Sequence, residues 1–379
     1  MTTADAASVS TALWVGSYTA DAGRDGVGVG ALTVSADGQV AWAGVGAAAS
    51  SPSFVAVHPE LPVVYAVAEA AETVAAYRQP NAASPTLEPF GEPWPAGAAV
   101  CHVAVAPDAR YLTVTCWGDG RVLLYELGAD GSIGSRFEGA PAVDPHAATA
   151  RAAAVALAEA GLPQTLPPRV SRAHASLMLP DGRIMTTDLG FDLLRVWNYV
   201  PVTTPETGVA RGLVLDHEVE LPFGSGPRHM ALHPNGSVLV VTEYSIEVVV
   251  VRVGAAPTSG GGYGIASVGP ATNGGARAGD SAAEIALSGD ARFAYVGVRG
   301  SNLVSTLRID EAGAVHPVAD TDSGGDWPRH HAVLGRLLLV AHERSSDVTA
   351  FELDPETGVP SGPIGSLAVA APTALVRAR

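Results

Sequence analysis

The chain has 379 residues, 47% of them hydrophobic and 16% charged, and carries a formal net charge of -16. So acidic a protein is a poor nucleic-acid binder, because phosphate contacts need clustered Lys and Arg, and it repels anionic ligands unless its arginines are concentrated in one place. No run approaches the ~18 apolar residues of a membrane span, and two cysteines, Cys101 and Cys116, do not make a disulfide framework.

Met1 to Ser10 has neither a basic segment nor an apolar core, so we expect no signal peptide and a soluble, cytoplasmic protein. Next come two strand-like runs, Leu13-Trp14-Val15-Gly16-Ser17-Tyr18 and Val27 to Val34, with no unit of their own in front of them. From Pro52 onward the chain repeats itself. Units begin near Pro52, Cys101, Ala173, Pro227, Ala282 and Pro328, 46 to 72 residues apart. Each reads as a short strand, a Pro/Gly turn, a second strand, a polar break and a third strand. Val63 to Val67 and Thr73 to Tyr77 show the style, and Pro180-Asp181-Gly182 and Pro234-Asn235-Gly236 are the turns. Near Pro372 a seventh unit opens with Pro372-Thr373-Ala374-Leu375-Val376 and the chain ends. The two runs at the start supply its missing strands.

Repeats of this length with several short strands each signal an all-β fold, a seven-bladed β-propeller closed by pairing of the N- and C-terminal strands. Each unit buries its apolar face only against its neighbours, so residues 1–379 are expected to form one ring rather than separate domains. The longest interval between units holds an insertion, roughly 134–171. Within it Ala147 to Ala160 is Ala-rich without Gly or Pro and predicts a helix. Lid and decorative loop are both open for this insertion. A second stretch, Pro257 to Gly279, is Gly-rich and reads as a loop.

In a propeller the first strand of each blade is innermost, so its start and the end of the second strand rim the channel. Aligned by their turns, the units place Ser53, Cys101, His174, Arg228, Ala283 and Arg329 at the first-strand start. The next position carries Phe54, His102, Ala175, His229 and Glu284, and the second-strand end carries Glu69, Trp117, Asp188 or Leu189, Glu243, Arg299 and Glu343. Charged and imidazole groups thus recur where a blade would take strand formers, a conflict expected at functional sites. His174, Arg228, Glu243 and Arg299 fall on three successive units. A histidine can take a proton from water near neutral pH. Two arginines can hold a carboxylate or phosphate and stabilise an oxyanion. A carboxylate can orient the histidine or act as acid. The set suits hydrolysis of an anionic ester or lactone.

Plainer roles stand beside these. Arg228 and Arg299 could be ion-pair partners between blades, with Glu243 neutralising them. His102 and His229 suit packing against the site. Asp188 suits the binding of backbone amides. His330, His331 and His342 have no metal-site spacing, no zinc motif is present, and the two cysteines are expected as packed thiols.

With these residues in view, the chain resembles the seven-bladed lactonase family, which contains propeller-type 6-phosphogluconolactonases and fungal 3-carboxy-cis,cis-muconate lactonising enzymes. The resemblance rests on Gly16-Ser17-Tyr18-Thr19, Pro52-Ser53-Phe54, Tyr65-Ala66-Val67-Ala68-Glu69, Ala173-His174, Asp188-Leu189-Gly190-Phe191-Asp192, Gly226-Pro227-Arg228-His229, Thr242-Glu243 and Val298-Arg299-Gly300. It implies catalytic or binding roles for His174, Arg228, Glu243 and Arg299. The family's usual Pro-His-x-His is Ser171-Arg172-Ala173-His174 here. The expectation is a metal-independent lactonase without cofactor, acting on a sugar lactone such as 6-phosphogluconolactone, with His229, His102, Glu69 and Arg329 adding substrate contacts to those of Arg228 and Arg299. Its partners would be a small anionic lactone or carboxylate, with no nucleic acid and no membrane, and the protein a monomer or weak homodimer. The alternatives are a muconate cycloisomerase and a non-catalytic binding platform.

Overall fold

A computed structural model describes residues 10–81, 84–160, 169–201, 212–255 and 261–379. Its strands form seven antiparallel sheets, six of four strands and one of five. In six of the blades the strands follow one another in chain order from the centre outward. The seventh begins with Pro372–Arg377 as its innermost strand and continues with Thr11–Ser17, Val29–Val34 and Val40–Ala47. Leu13 pairs with Arg377 and Val15 with Leu375, so the two ends of the chain close the ring as the repeat pattern required.

The second strand of each blade lies between neighbouring sheets and is buried on both faces. It accordingly reads as a continuous apolar run, as in Val238–Thr242 and Tyr111–Cys116, where every residue is buried. Outer strands such as Val40–Ala47 face water over much of their length and mix exposed with half-buried residues. The core is divided into seven apolar clusters, one at each blade-to-blade interface. For example, Leu239, Val241 and Val250 of the fourth blade meet Ile285, Val296 and Leu307 of the fifth. Each blade is therefore held by two neighbours rather than by a core of its own.

The excursion between the second and third blades differs from the expected insertion at its start. Ile133–Glu138 pairs with Val122–Leu127 and is the outer strand of the second blade, so the excursion begins only after it. The sequence signal for this strand is weak because three of its residues are exposed polar groups, Ser135, Arg136 and Glu138. The helix forms at Ala147–Glu159 as composition predicts, with no residue fully buried. Pro163 to Pro168 lies outside the described residues. The Gly-rich stretch is also more ordered than read: Tyr263–Pro270 is the outer strand of the fourth blade, registered against Glu247–Val253. Cys101 and Cys116 are free and buried. Among the described residues no helix is long and apolar enough to cross a membrane.

Candidate active site

The innermost strands lose their regular pairing at the residues the repeat alignment singled out. Register breaks fall between Ala173 and Ser176, Pro227 and Met230, Ala282 and Ile285, and Pro328 and His330. Such irregularities re-aim side chains, here His174, Arg228, Ala283 and Arg329 and the residues after them. Pairing of Pro227 with Thr242, Ala173 with Asp188 and Pro328 with His342 fixes the rim positions one residue further on, at Glu243, Leu189 and Glu343. The choice at the third blade thus falls to Leu189. Asp188 turns inward and accepts from the amides of Arg172, Gly190 and Phe191 and from Ser171 Oγ, the backbone role.

Glu243 Oε2 lies 3.0 Å from Arg228 Nε and 3.0 Å from Arg299 Nη2. One carboxylate oxygen joins the two guanidinium groups of neighbouring blades. Arg228 also donates to the Ala283 carbonyl at 2.7 Å, and Arg299 to Ser281 Oγ at 2.6 Å and to the Ala282 carbonyl at 3.1 Å. Burial is the largest influence on Glu243 and opposes its charge, yet Arg299 and Arg228 overcome it and hold the carboxyl below its usual range. Burial, reinforced by Arg299, lowers Arg228 to about 10, which leaves it charged at neutral pH. The conformation that delivers Arg228 begins at Gly226, with φ of 65°, where a Cβ would stand 2.5 Å from the Tyr244 ring. Only glycine fits there.

His174 is 6% exposed, and its Nδ1 is enclosed without a hydrogen-bond partner among the described residues. Burial first, then Arg228, His229, Arg329 and His102, depresses its titration well below the ordinary histidine range. The imidazole is therefore neutral at physiological pH, the state in which it can accept a proton. Among the described residues no hydrogen bond joins Glu243 to His174. Two guanidinium groups attract a carboxylate more strongly than a neutral ring does, so Glu243 clamps the arginines rather than orienting the histidine.

Across the mouth, Arg329 pairs with Glu343 at 3.1 Å and donates to Tyr18 Oη at 2.6 Å, and Tyr18 Oη donates to Glu69 at 3.1 Å. Arg24 reaches the other oxygen of Glu343 at 3.1 Å. Four guanidinium groups (Arg24, Arg228, Arg299 and Arg329) thus face three carboxylates (Glu69, Glu243 and Glu343). Glu284, bound to His229, brings the carboxylates to four, yet the mouth still concentrates arginines on a protein of net charge -16, as an anionic ligand needs.

His102 and His229 are buried like His174. Phe54 packs on His102 at 4.2 Å between ring centres and on His229 and His330 at 5.8 and 5.6 Å. His229 Nδ1 bonds Glu284, and His330 Nε2 lies 3.4 Å from the same carboxylate. These rings cluster beside His174, whose ring centre is 5.1 Å from that of His229. His342 bonds Asp347 at 2.8 Å inside its own blade. Among the described residues no group of three or more His, Cys, Asp or Glu is arranged to hold a metal ion.

Residues 12–376 match the family model described as Lactonase, 7-bladed beta-propeller. The chain belongs to this lactonase family. It is 25% identical to the 6-phosphogluconolactonase of Bacillus subtilis over 314 residues, covering 81% of this chain and 82% of that one. Its fold matches the Pseudomonas aeruginosa periplasmic gluconolactonase PpgL with a TM-score of 0.77 at 24% identity, over 98% of this chain and 99% of that one. A solved protein from Bacteroides fragilis superposes with a TM-score of 0.80 at 20% identity over the full length of both chains.

Within this lactonase-family ring, sequence reasoning missed Tyr18, Arg24 and Ser281 at the mouth. Tyr18 occupies the second-strand end of the seventh blade, the position of Glu69 and Glu243 in theirs. The repeat grammar would have found it had the split blade been aligned with the others. Arg24 and Ser281 carry no such signal, since both lie outside the aligned positions.

Proposed function

We propose that the protein hydrolyses an anionic sugar lactone, and that 6-phosphogluconolactone is such a substrate. The observation that carries this reading is the Arg228–Glu243–Arg299 clamp beside a buried, neutral His174 at the mouth of a lactonase-family channel. The guanidinium groups would hold the anionic substituent and the developing oxyanion, and Glu243 would keep them in place without cancelling both charges. His174 would take the proton of the attacking water as it adds to the lactone carbonyl. The acyl C–O bond then breaks, and the ring oxygen leaves as an alcohol after receiving a proton. On this reading the step runs without a metal ion. The 6-phosphogluconolactonase activity named for the Bacillus subtilis relative supports the choice of substrate.

The test is proton release on adding freshly generated 6-phosphogluconolactone, in the presence of a chelator, for wild type and His174→Ala. Wild type should exceed the spontaneous rate, and the variant should lose about 10²–10⁴-fold in turnover while keeping its fold. Wild-type turnover no faster than background overturns the phosphosugar assignment. Full activity in the variant removes His174 as the base.

A further inference from the structure

Beside the mouth, against the second to fourth blades, lies a cavity of about 730 Å³. The rim residues Trp117 and Leu189 and the ring of Tyr244 line its inner side, and the inserted helix covers it with Ala150, Ala154 and Leu157. Ligand cavities of roughly 300–1,000 Å³ enclose molecules larger than a single sugar ring. Arg169, Arg172 and Asp192 also line it, the first and last paired with each other at 2.8 Å, but the side chains that the helix and the rim present are mainly apolar, whereas a sugar lactone presents hydroxyls on nearly every carbon.

Three observations point to a ligand. First, the cover is held in place. Arg169 pairs with Asp144 at 2.9 Å and with Asp192 at 2.8 Å, and Asp192 also accepts from the amides of Gly224 and Gly226 at 2.8 Å. The base of the excursion is thereby fastened to the strand that carries Arg228. Second, the guanidinium of Arg172 lies flat over Trp117, 3.7 Å from the ring centre, and has no carboxylate partner among the described residues. In a protein with 38 acidic and 22 basic residues, this cation is left unpaired in the cavity wall. Third, the cavity adjoins the catalytic group, since Trp117 and Leu189 hold in their blades the rim position that Glu243 holds in its own, and the Tyr244 ring lies against Gly226, two residues before Arg228. Tyr244 follows Glu243 directly, and its phenol, pushed up to about 12 first by burial, lies within the electrostatic reach of Glu243, Arg172 and Arg299.

We propose that this cavity is a substrate subsite for an aryl group, so that the protein also hydrolyses aryl-substituted lactones, the lactone ring lying at His174 and Arg228 and the aryl ring against Trp117, Leu189 and Tyr244. The proposal rests on the lactonase reading and extends its substrate class. Arg172, stacked on Trp117 and unpaired, favours an electron-rich ring beside it.

The test reads binding separately from turnover. The ring-opened acids 4-hydroxy-4-phenylbutyrate and 4-hydroxypentanoate differ in carrying phenyl or methyl at the carbon that closes the lactone. Calorimetric titration of the whole protein should give at least about tenfold tighter binding of the phenyl acid. Trp117→Ala and Ala154→Trp, the second filling the cavity from the exposed helix, should each abolish that preference, with circular dichroism checking the fold. γ-Phenyl-γ-butyrolactone should likewise be hydrolysed with higher kcat/KM than γ-valerolactone. Equal affinities for the two acids in wild type, or a preference unchanged in both variants, overturns the subsite. Because the acids need no turnover, failure of the lactonase reading would appear as absent hydrolysis with the phenyl preference intact. Failure of the subsite would appear as hydrolysis without that preference.

Discussion

Glu243 shows how one side chain sets the charge state of the mouth. Its Oε2 is shared by Arg228 and Arg299 at 3.0 Å each, and both arginines are almost fully buried. Removing one partner of a buried ionic cluster is more damaging than replacing the whole cluster, because the remaining charges lose their compensation. Glu243→Gln should therefore destabilise the protein by about 3–5 kcal/mol, measured by chemical denaturation. Glu243→Gln combined with Arg299→Met should recover part of that loss. A Glu243→Gln protein as stable as wild type would mean that the clamp contributes nothing to folding.

At the scale of the element, two devices stand out. The inner strands carry His102, His174, His229, His330 and His331, and each is held below the ordinary histidine range, first by burial, with His330 at about 3. The unfolded chain binds protons at these sites below pH ~6.5 and the folded one does not. Their contribution to stability is therefore complete above ~6.5 and declines as the pH falls toward the folded values. Each histidine costs up to about 1.4 kcal/mol per pH unit once below that point. Urea denaturation at about pH 7.5, 6 and 5 should show a steepening loss, and an unchanged unfolding free energy across this range would contradict the neutral cluster. The second device is the Asp192 knot. Asp192→Ala should leave Arg169 paired with Asp144 alone and the amides of Gly224 and Gly226 without their acceptor, costing about 1–3 kcal/mol. It should also increase proteolysis within the excursion, and unaltered cleavage kinetics would show that the knot does not hold the cover.

For the whole molecule, stability depends on closure. Each of the seven apolar clusters spans two blades, and Leu13, Val15 and Leu375 belong to the one joining the seventh blade to the sixth. A chain ending at Ala371 would lose the innermost strand of the seventh blade, expose the edge of Thr11–Ser17 and remove Leu375 from that cluster. An unpaired apolar edge invites pairing with other copies. Such a truncation should give aggregated protein or a thermal transition far below that of wild type, followed by scattering and circular dichroism. A truncated monomer with the native transition would show that the ring does not need its closing strand.

The sequence alone determined the ring, its seven blades and most residues of its rim, because a propeller repeats one hydrophobic grammar and charged and imidazole side chains break it at the same place in several units. His174, Arg228, Glu243 and Arg299 were legible for that reason. The weak outer strands Ile133–Glu138 and Tyr263–Pro270 were not, since their half-exposed residues carry little alternation. Only the tertiary structure decided which charges meet. Glu243 bridges two arginines instead of orienting His174, Tyr18 joins Arg329 to Glu69, and Leu189 takes the rim while Asp188 binds backbone amides. It alone placed the Ala-rich helix over Trp117 and Tyr244. The cross-blade pairings among these join residues from about fifty to more than three hundred positions apart in sequence, so they follow from how the blades close on one another rather than from any local pattern.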